Sequence, residues 1–384
     1  MSDFLTRNRL VTAKAEVTSG TDPVPTPAAD AVLVEEPRAN PNIELEQTDE
    51  VNGSIERSLP IVGGGFMERT HRFFAKGSGV PGTEPEFTPY LQAGALGLTT
   101  LATDSSGTAQ AGAAGSITLA AGAPATDLSG FVIETTGGTG SGQRRVIVAY
   151  NTTTKVASVV PSWTTPPDAT TGYAVRAGNL FQRASTSLKT ITDYLYKNNS
   201  GSGNAILTRL TGAAANLSFS MQARQTGKFT ATLRGVMHAP EEVANPSGAV
   251  FDATRPRPFI AADVSLDGAP LCFRNITLDL GNQVVQADCP GSDFGYDPAR
   301  VIEGAATGRI NPQLVTLASR NPFLDMMAGG QKWLWVNYGE TLGNKVSLLQ
   351  KIIYTGNEDD DLDGISASGL PFAVVPGSIR WLFY

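Results

Sequence analysis

Two stretches alternate apolar and polar residues without a break. In "NLSFSMQAR", Leu217, Phe219, Met221 and Ala223 fall on one side, and Ser218, Ser220, Gln222 and Arg224 on the other. In "KFTATLRG", Phe229, Ala231 and Leu233 alternate with Thr230, Thr232 and Arg234. A period of two is the signature of an antiparallel strand with one face on a core and one face in water. Around these stretches, 41 glycines and 24 prolines punctuate many short β-rich runs, which predicts a mainly β chain of sandwich or barrel type. With 384 residues there is length for two or three domains, and a 41% hydrophobic content supplies their cores.

Breaks in texture predict the organisation. Residues 1–104 together with 178–238 read as one β domain. It opens on an arm in which Pro23, Pro25 and Pro27 enforce an extended chain, so that the arm is either disordered or docked across a neighbour through Ala31–Val34. Residues 105–177 read as a small all-β insertion, entered through the low-complexity run "DSSGTAQAGAAG". Residues 239–258 are a linker with four prolines, and 259–384 read as a second β domain. Two short helices are expected. In "TPYLQAGAL" Thr88 is the cap and Pro89 the first helical residue; in "NPFLDMMAGG" Asn321 and Pro322 take those places. The echo between the two, each set in a strand region, suggests a duplicated strand–helix–strand unit.

Candidate chemistry is sparse. Asp359, Asp361, Asp363 and Gly364 fit the opening of an EF-hand calcium loop, but the twelfth position is Leu370 and the flanks read as strands; a wet turn is favoured over a metal site. Gly138, Gly140 and Gly142 are followed by the strand "RRVIVAY" rather than a phosphate-binding helix. His71 and His238 lack metal-ligand spacing, His71 reading as a strand residue. No nucleophile elbow or zinc-helix motif occurs, so neither catalysis nor a cofactor is expected. Trp333, Trp335 and Trp381 read as core or subunit interface rather than a sugar platform, and Trp163 as the core of the insertion. Cys272 and Cys289 bracket "FRNITLDLGNQVVQAD", which reads as a hairpin turning at Gly281 and Asn282; a cross-strand disulfide is possible, though two cysteines suit a reducing compartment better. The first residues hold no signal-like apolar run, no stretch reaches membrane-spanning length, and the net charge of −7 argues against a protein that grips nucleic acid.

The order of segments resembles the major tail tube proteins of long-tailed, non-contractile (siphovirus-type) bacteriophages. The matching pieces are "LVTAKAEVTSGTDPVPTPAADAVLVEE", "PYLQAGALG", "LTRLTGAAANLSFSMQARQTGKFTATLRGVM" and "FRNITLDLGNQVV". The resemblance implies a structural virion protein with a tail-tube β fold, assembled in the host cytoplasm. Its rings stack around a channel that DNA traverses without specific binding. Tail terminator, tape measure and distal tail proteins are the implied partners. If the duplication holds, three subunits with two tube units each make a ring; six subunits are the alternative. Three further expectations follow. Hydroxyls and carboxylates dominate the channel face. The acidic 357–364 turn lies at the lumen rim or between rings, where Arg144 or Arg255 of a neighbour is within the choice of partners. Deleting about residues 106–177 leaves tubes intact. The rival class is a surface adhesin or carbohydrate-binding β protein.

Overall fold

The computed structural model describes residues 3–51, 53–201 and 203–384. In chain order they run β1 (Phe4–Ala15), α1 (Pro27–Asp30), β2 (Glu35–Glu46), β3 (Ile61–Phe74), α2 (Thr88–Ala93) and β4 (Leu96–Leu101). Then follow β5 (Ser105–Thr108), β6 (Ala111–Ala113), β7 (Ser116–Thr118), β8 (Val132–Gly137), β9 (Arg144–Tyr150), β10 (Val156–Val160) and β11 (Gly172–Val175). Next come β12 (Gly178–Arg183), β13 (Ile191–Asn199), β14 (Ala205–Gln222), β15 (Lys228–Met237), β16 (Glu241–Val243), β17 (Asp263–Leu266), β18 (Ala269–Pro270), β19 (Phe273–Asp279) and β20 (Asn282–Val285). The last are β21 (Arg300–Gly304), β22 (Thr307–Pro312), α3 (Pro322–Met327), β23 (Lys332–Tyr338), β24 (Val346–Tyr354), β25 (Glu358–Leu362), β26 (Ile365–Val374) and β27 (Arg380–Phe383). The chain is thus mainly β, 51% strand against 4% helix, and its named strand pairings are antiparallel.

Eighteen strands form one continuous sheet, β5–β11 form a second of seven, and β20 pairs with β21 alone. The large sheet folds over itself into two layers. One layer is the run β2–β3–β15–β14–β19–β22–β26–β25. The other is β18–β17–β23–β24–β27–β12–β4. Long strands make the fold-over possible by changing partner along one edge. Ile206–Ala213 of β14 pairs with β13, while Ser218–Gln222 pairs with β19. The switch falls at a register shift containing Gly212, whose φ of 57° suits glycine and whose missing Cβ would sit 2.6 Å from Pro298 Cβ. In the same way Val346–Leu349 of β24 pairs with β27 and Ile352–Tyr354 with β26.

Between the layers lies the core that the alternation requires. Phe73, Phe219 and Phe229 point inward from the first layer and meet Trp381 and Phe383 of the second, with Phe219 and Trp381 ring centres 4.5 Å apart.

Several local expectations change. The run "DSSGTAQAGAAG" is not a linker: β5 and β6 lie within it, because even alanine and glycine extend when neighbouring strands supply a ladder. Thr88 lies inside α2; Phe87 occupies the cap position and the Thr88 hydroxyl donates to the Pro85 carbonyl at 2.8 Å. Asn321 does cap α3, accepting from Leu324 N at 3.1 Å. The N-terminal arm lies on its own chain: β1 pairs with β13, and Ala31 and Val32 are buried. No hairpin joins β19 to β20. Strand β19 is flanked by β14 and β22, and β20 pairs with β21; Asn282 is itself the first residue of β20, so the expected hairpin at Gly281 and Asn282 does not form. Both cysteines are free thiols, Cys272 exposed.

A candidate self-assembly surface

The first layer presents its second face to solvent, and strand register assigns the residues on it. Arg72, Thr230, Ser218, Asp279 and Thr307 form one cross-strand row, and Arg38, Thr70, Thr232 and Asn216 another. A third runs Asn40, Glu68 and Arg234. Cations and carboxylates are interleaved here: Lys228 Nζ is 2.9 Å from Glu35, Arg309 bonds Glu358, and Asn216 donates to Asp279 at 2.9 Å. Arg38, Arg72, Lys228, Arg234 and Arg309 all stand on this face beside its hydroxyls and carboxylates.

This layer has two open margins. Strand β2 pairs with β3 alone and β25 with β26 alone among the described residues. Every pairing between them is antiparallel, so β25 runs opposite to β2. Unpaired margins this long are templates for another strand. Beside them lie two exposed apolar groups. Ile43, Leu45, Ile61 and Val62 stand on the β2–β3 ribbon, with Val51, Ile55 and Leu59 in its loop; Leu314, Val315, Leu317, Phe323, Leu324 and Met327 surround α3. Concentrations of this kind mark contact surfaces.

The acidic stretch belongs to one margin. Glu358–Leu362 is itself a strand, closed by a two-residue turn in which Asp363 and Gly364 take φ of 57° and 90°. That is the left-handed geometry favoured by tight hairpins, and the turn is confined to Asp363 and Gly364 rather than spanning 357–364. Asp359 and Asp361 share one face of β25; Glu358 and Asp360 share the other, toward Arg309; Asp363 sits in the turn, 3.1 Å from Arg274 Nη1. The three calcium candidates are thereby split between a strand face and a turn, and Asp363 already has a cation. No group of three or more possible metal ligands occurs among the described residues.

The structure brings together a cluster that spacing alone did not reveal. Arg69 and His71 point inward from β3, Asp193 from β13 and Tyr90 from α2, all fully buried. Arg69 Nη1 bonds the Asp193 carboxylate and its carbonyl, and Nη2 reaches Thr208 O at 2.7 Å. His71 Nε2 lies 3.2 Å from Asp193 Oδ2, to which the Tyr90 hydroxyl donates at 2.7 Å. Burial disfavours the Asp193 charge, but His71, Arg69 and the hydrogen bonds outweigh it and hold the carboxyl well below its ordinary range. Burial and then the Asp193 charge push Tyr90 well above its ordinary value. With no exposed atom, the cluster ties three elements together rather than facing a substrate.

The seven-stranded sheet does not close its core alone. Trp163, Phe131, Val132 and Ile147 belong to one buried cluster with Leu180, Trp335, Leu349, Leu382 and Tyr384 of the large sheet. Arg144 is held there by Glu134 at 2.6 Å and Asp263 at 3.1 Å, so it is not free for a neighbour; Arg255 is exposed. Trp381 lies in the central core, Trp335 under the small sheet and Trp333 half-buried beside it. Gly138, Gly140 and Gly142 lie in the β8–β9 connection with positive φ, and β9 follows directly.

Among the described residues no helix is long and apolar enough to cross a membrane. No family model matches the chain, and no curated protein matches it.

Proposed function

We propose that this chain is a structural tube subunit of a long-tailed bacteriophage virion, polymerising as stacked rings around a channel for DNA delivery. The observation that carries the reading is the eight-stranded antiparallel layer with a solvated polar face and open margins at both ends. Because eight is even, joining β25 of one copy to β2 of the next continues the antiparallel alternation without a break. Closure removes the exposed margins and leaves the polar face as the wall of a wet lumen.

Size favours three copies. Twenty-four strands about 4.8 Å apart and tilted by about 40° give a backbone diameter of roughly 48 Å; six copies double that to roughly 96 Å. The smaller ring clears a duplex after side chains are allowed for, with little waste. Each chain then carries two four-stranded units, β2–β3–β15–β14 and β19–β22–β26–β25, in keeping with a duplicated tube unit. Interleaved charges on the face give phosphates no continuous basic track to release counterions against, so DNA slides rather than sticks.

Negative-stain microscopy of the purified chain is the test. Rings or hollow tubes support the reading; single compact particles at every concentration contradict it and favour a monomeric adhesin.

A further inference from the structure

Resting on that reading, we infer that neighbouring copies are keyed by an ionic lock: the acidic margin strand β25 of one copy docks into a basic cleft at the foot of the next copy's β2. The cleft has a volume of about 920 Å³. One wall is β1, with Arg7 and Arg9; the other is the first four residues of β2, Glu35–Arg38, with Arg72 and Lys228 beside them. It adjoins the open edge of β2, where a second copy's strand must arrive if the layer is to continue.

Charge selects the occupant. Inside the cleft Lys228 is matched by Glu35 at 2.9 Å and Arg38 by Glu36 at 3.6 Å. Arg9 donates only to the Pro37 carbonyl, at 2.9 Å, and neither Arg7 nor Arg72 meets a carboxylate among the described residues. Arg7 and Arg9 on the β1 wall are thus left over for an incoming strand, while Arg72 faces the polar side of the layer. On β25, Glu358 and Asp360 are engaged by Arg309, and Asp363 in the turn by Arg274, but Asp359 and Asp361 meet no cation among the described residues. Both are exposed, on a strand whose outer edge is unpaired. The cleft therefore carries an excess of positive charge and β25 an excess of negative charge, although β2 beyond Arg38 also carries Glu44 and Glu46.

Such pairs add little net affinity when wet, and backbone pairing with the apolar groups supplies the bulk of it. Their work is selection. A strand slipped by one residue turns Asp359 and Asp361 to the wrong face, and β25 with its four carboxylates repels a second β25, so head-to-tail joining is favoured over pairing of two β25 margins.

The test uses the full chain, with sedimentation to read assembly and circular dichroism to confirm folding. D359R/D361R and R7E/R9E, made separately, are expected to raise the concentration needed for assembly by about tenfold or more. The four substitutions together restore assembly toward that of the natural chain. Natural assembly also weakens as salt rises from about 0.05 to about 0.5 M, which stands as the readout if the fourfold variant does not fold. Paired variants that assemble like the natural chain, or salt-insensitive assembly, overturn the lock while leaving the tube reading intact. Binding of a short DNA duplex at the cleft, with assembly indifferent to the substitutions, also overturns it. A natural chain that never assembles overturns the tube reading itself.

Discussion

Asp193 is the residue on which most of the buried polar chemistry depends. Among the described residues it is the only carboxylate bonded to Arg69, which is fully buried. Replacing it in D193N leaves a guanidinium buried without its counter-charge, a change expected to cost about 3–5 kcal/mol. Chemical denaturation measures it; a loss under about 1 kcal/mol would mean that the cluster is incidental. The same residue sets a pH dependence. Its folded carboxyl ionises at lower pH than in the unfolded chain, so its stabilisation is fully present above the ordinary carboxylate range. That contribution is lost as pH falls through the unfolded value and on toward the folded one. Melting followed from neutral to acid pH should therefore show a shallower acid decline in D193N than in the natural chain. The sequence marked His71 as a strand residue and stopped there. Its partner lies 122 positions away on another strand, a distance that no local spacing encodes.

At the scale of elements, two pieces invite direct tests. Gly364 closes the β25–β26 hairpin at φ 90°, and G364V places a β-branched residue where such residues are strained. The expected cost is about 1–2 kcal/mol in folding, with a larger effect on ring formation, read by sedimentation, because the turn sets where β25 stands. The seven-stranded sheet gives the opposite lesson. Removing residues 105–177 uncovers Trp335, Leu349, Leu382 and Tyr384, so the simple deletion is expected to aggregate or melt earlier, with Trp335 emission shifted to the red. An unchanged melting temperature would show that the shared cluster contributes nothing. Clean tubes are expected from the deletion only once that face is made polar. Strict alternation in β14 and β15 was legible because period two has a single structural meaning when one face is buried. The strands β5 and β6 were not, since alanine, glycine and serine carry no periodicity and extend only where partners wait. The acidic margin was half legible: Asp-Gly announces a turn, but which residues before it pair depends on β26.

For the whole molecule, the unusual property is incompleteness. The core is finished within one chain, while the first layer stops at β2 and β25, each paired on one edge alone among the described residues. A monomer stable in isolation has reason to shorten, cover or bulge such margins; this one keeps β2 at twelve residues with an exposed face on both sides for much of its length. Adjacent apolar groups on the β2–β3 ribbon and around α3 are likewise uncovered. The most direct measurement is the native mass of the purified assembly. The account predicts a closed ring of three 40.3 kDa chains, alone or as stacked multiples of it. A species that stays at one chain as concentration rises would contradict the account at its root.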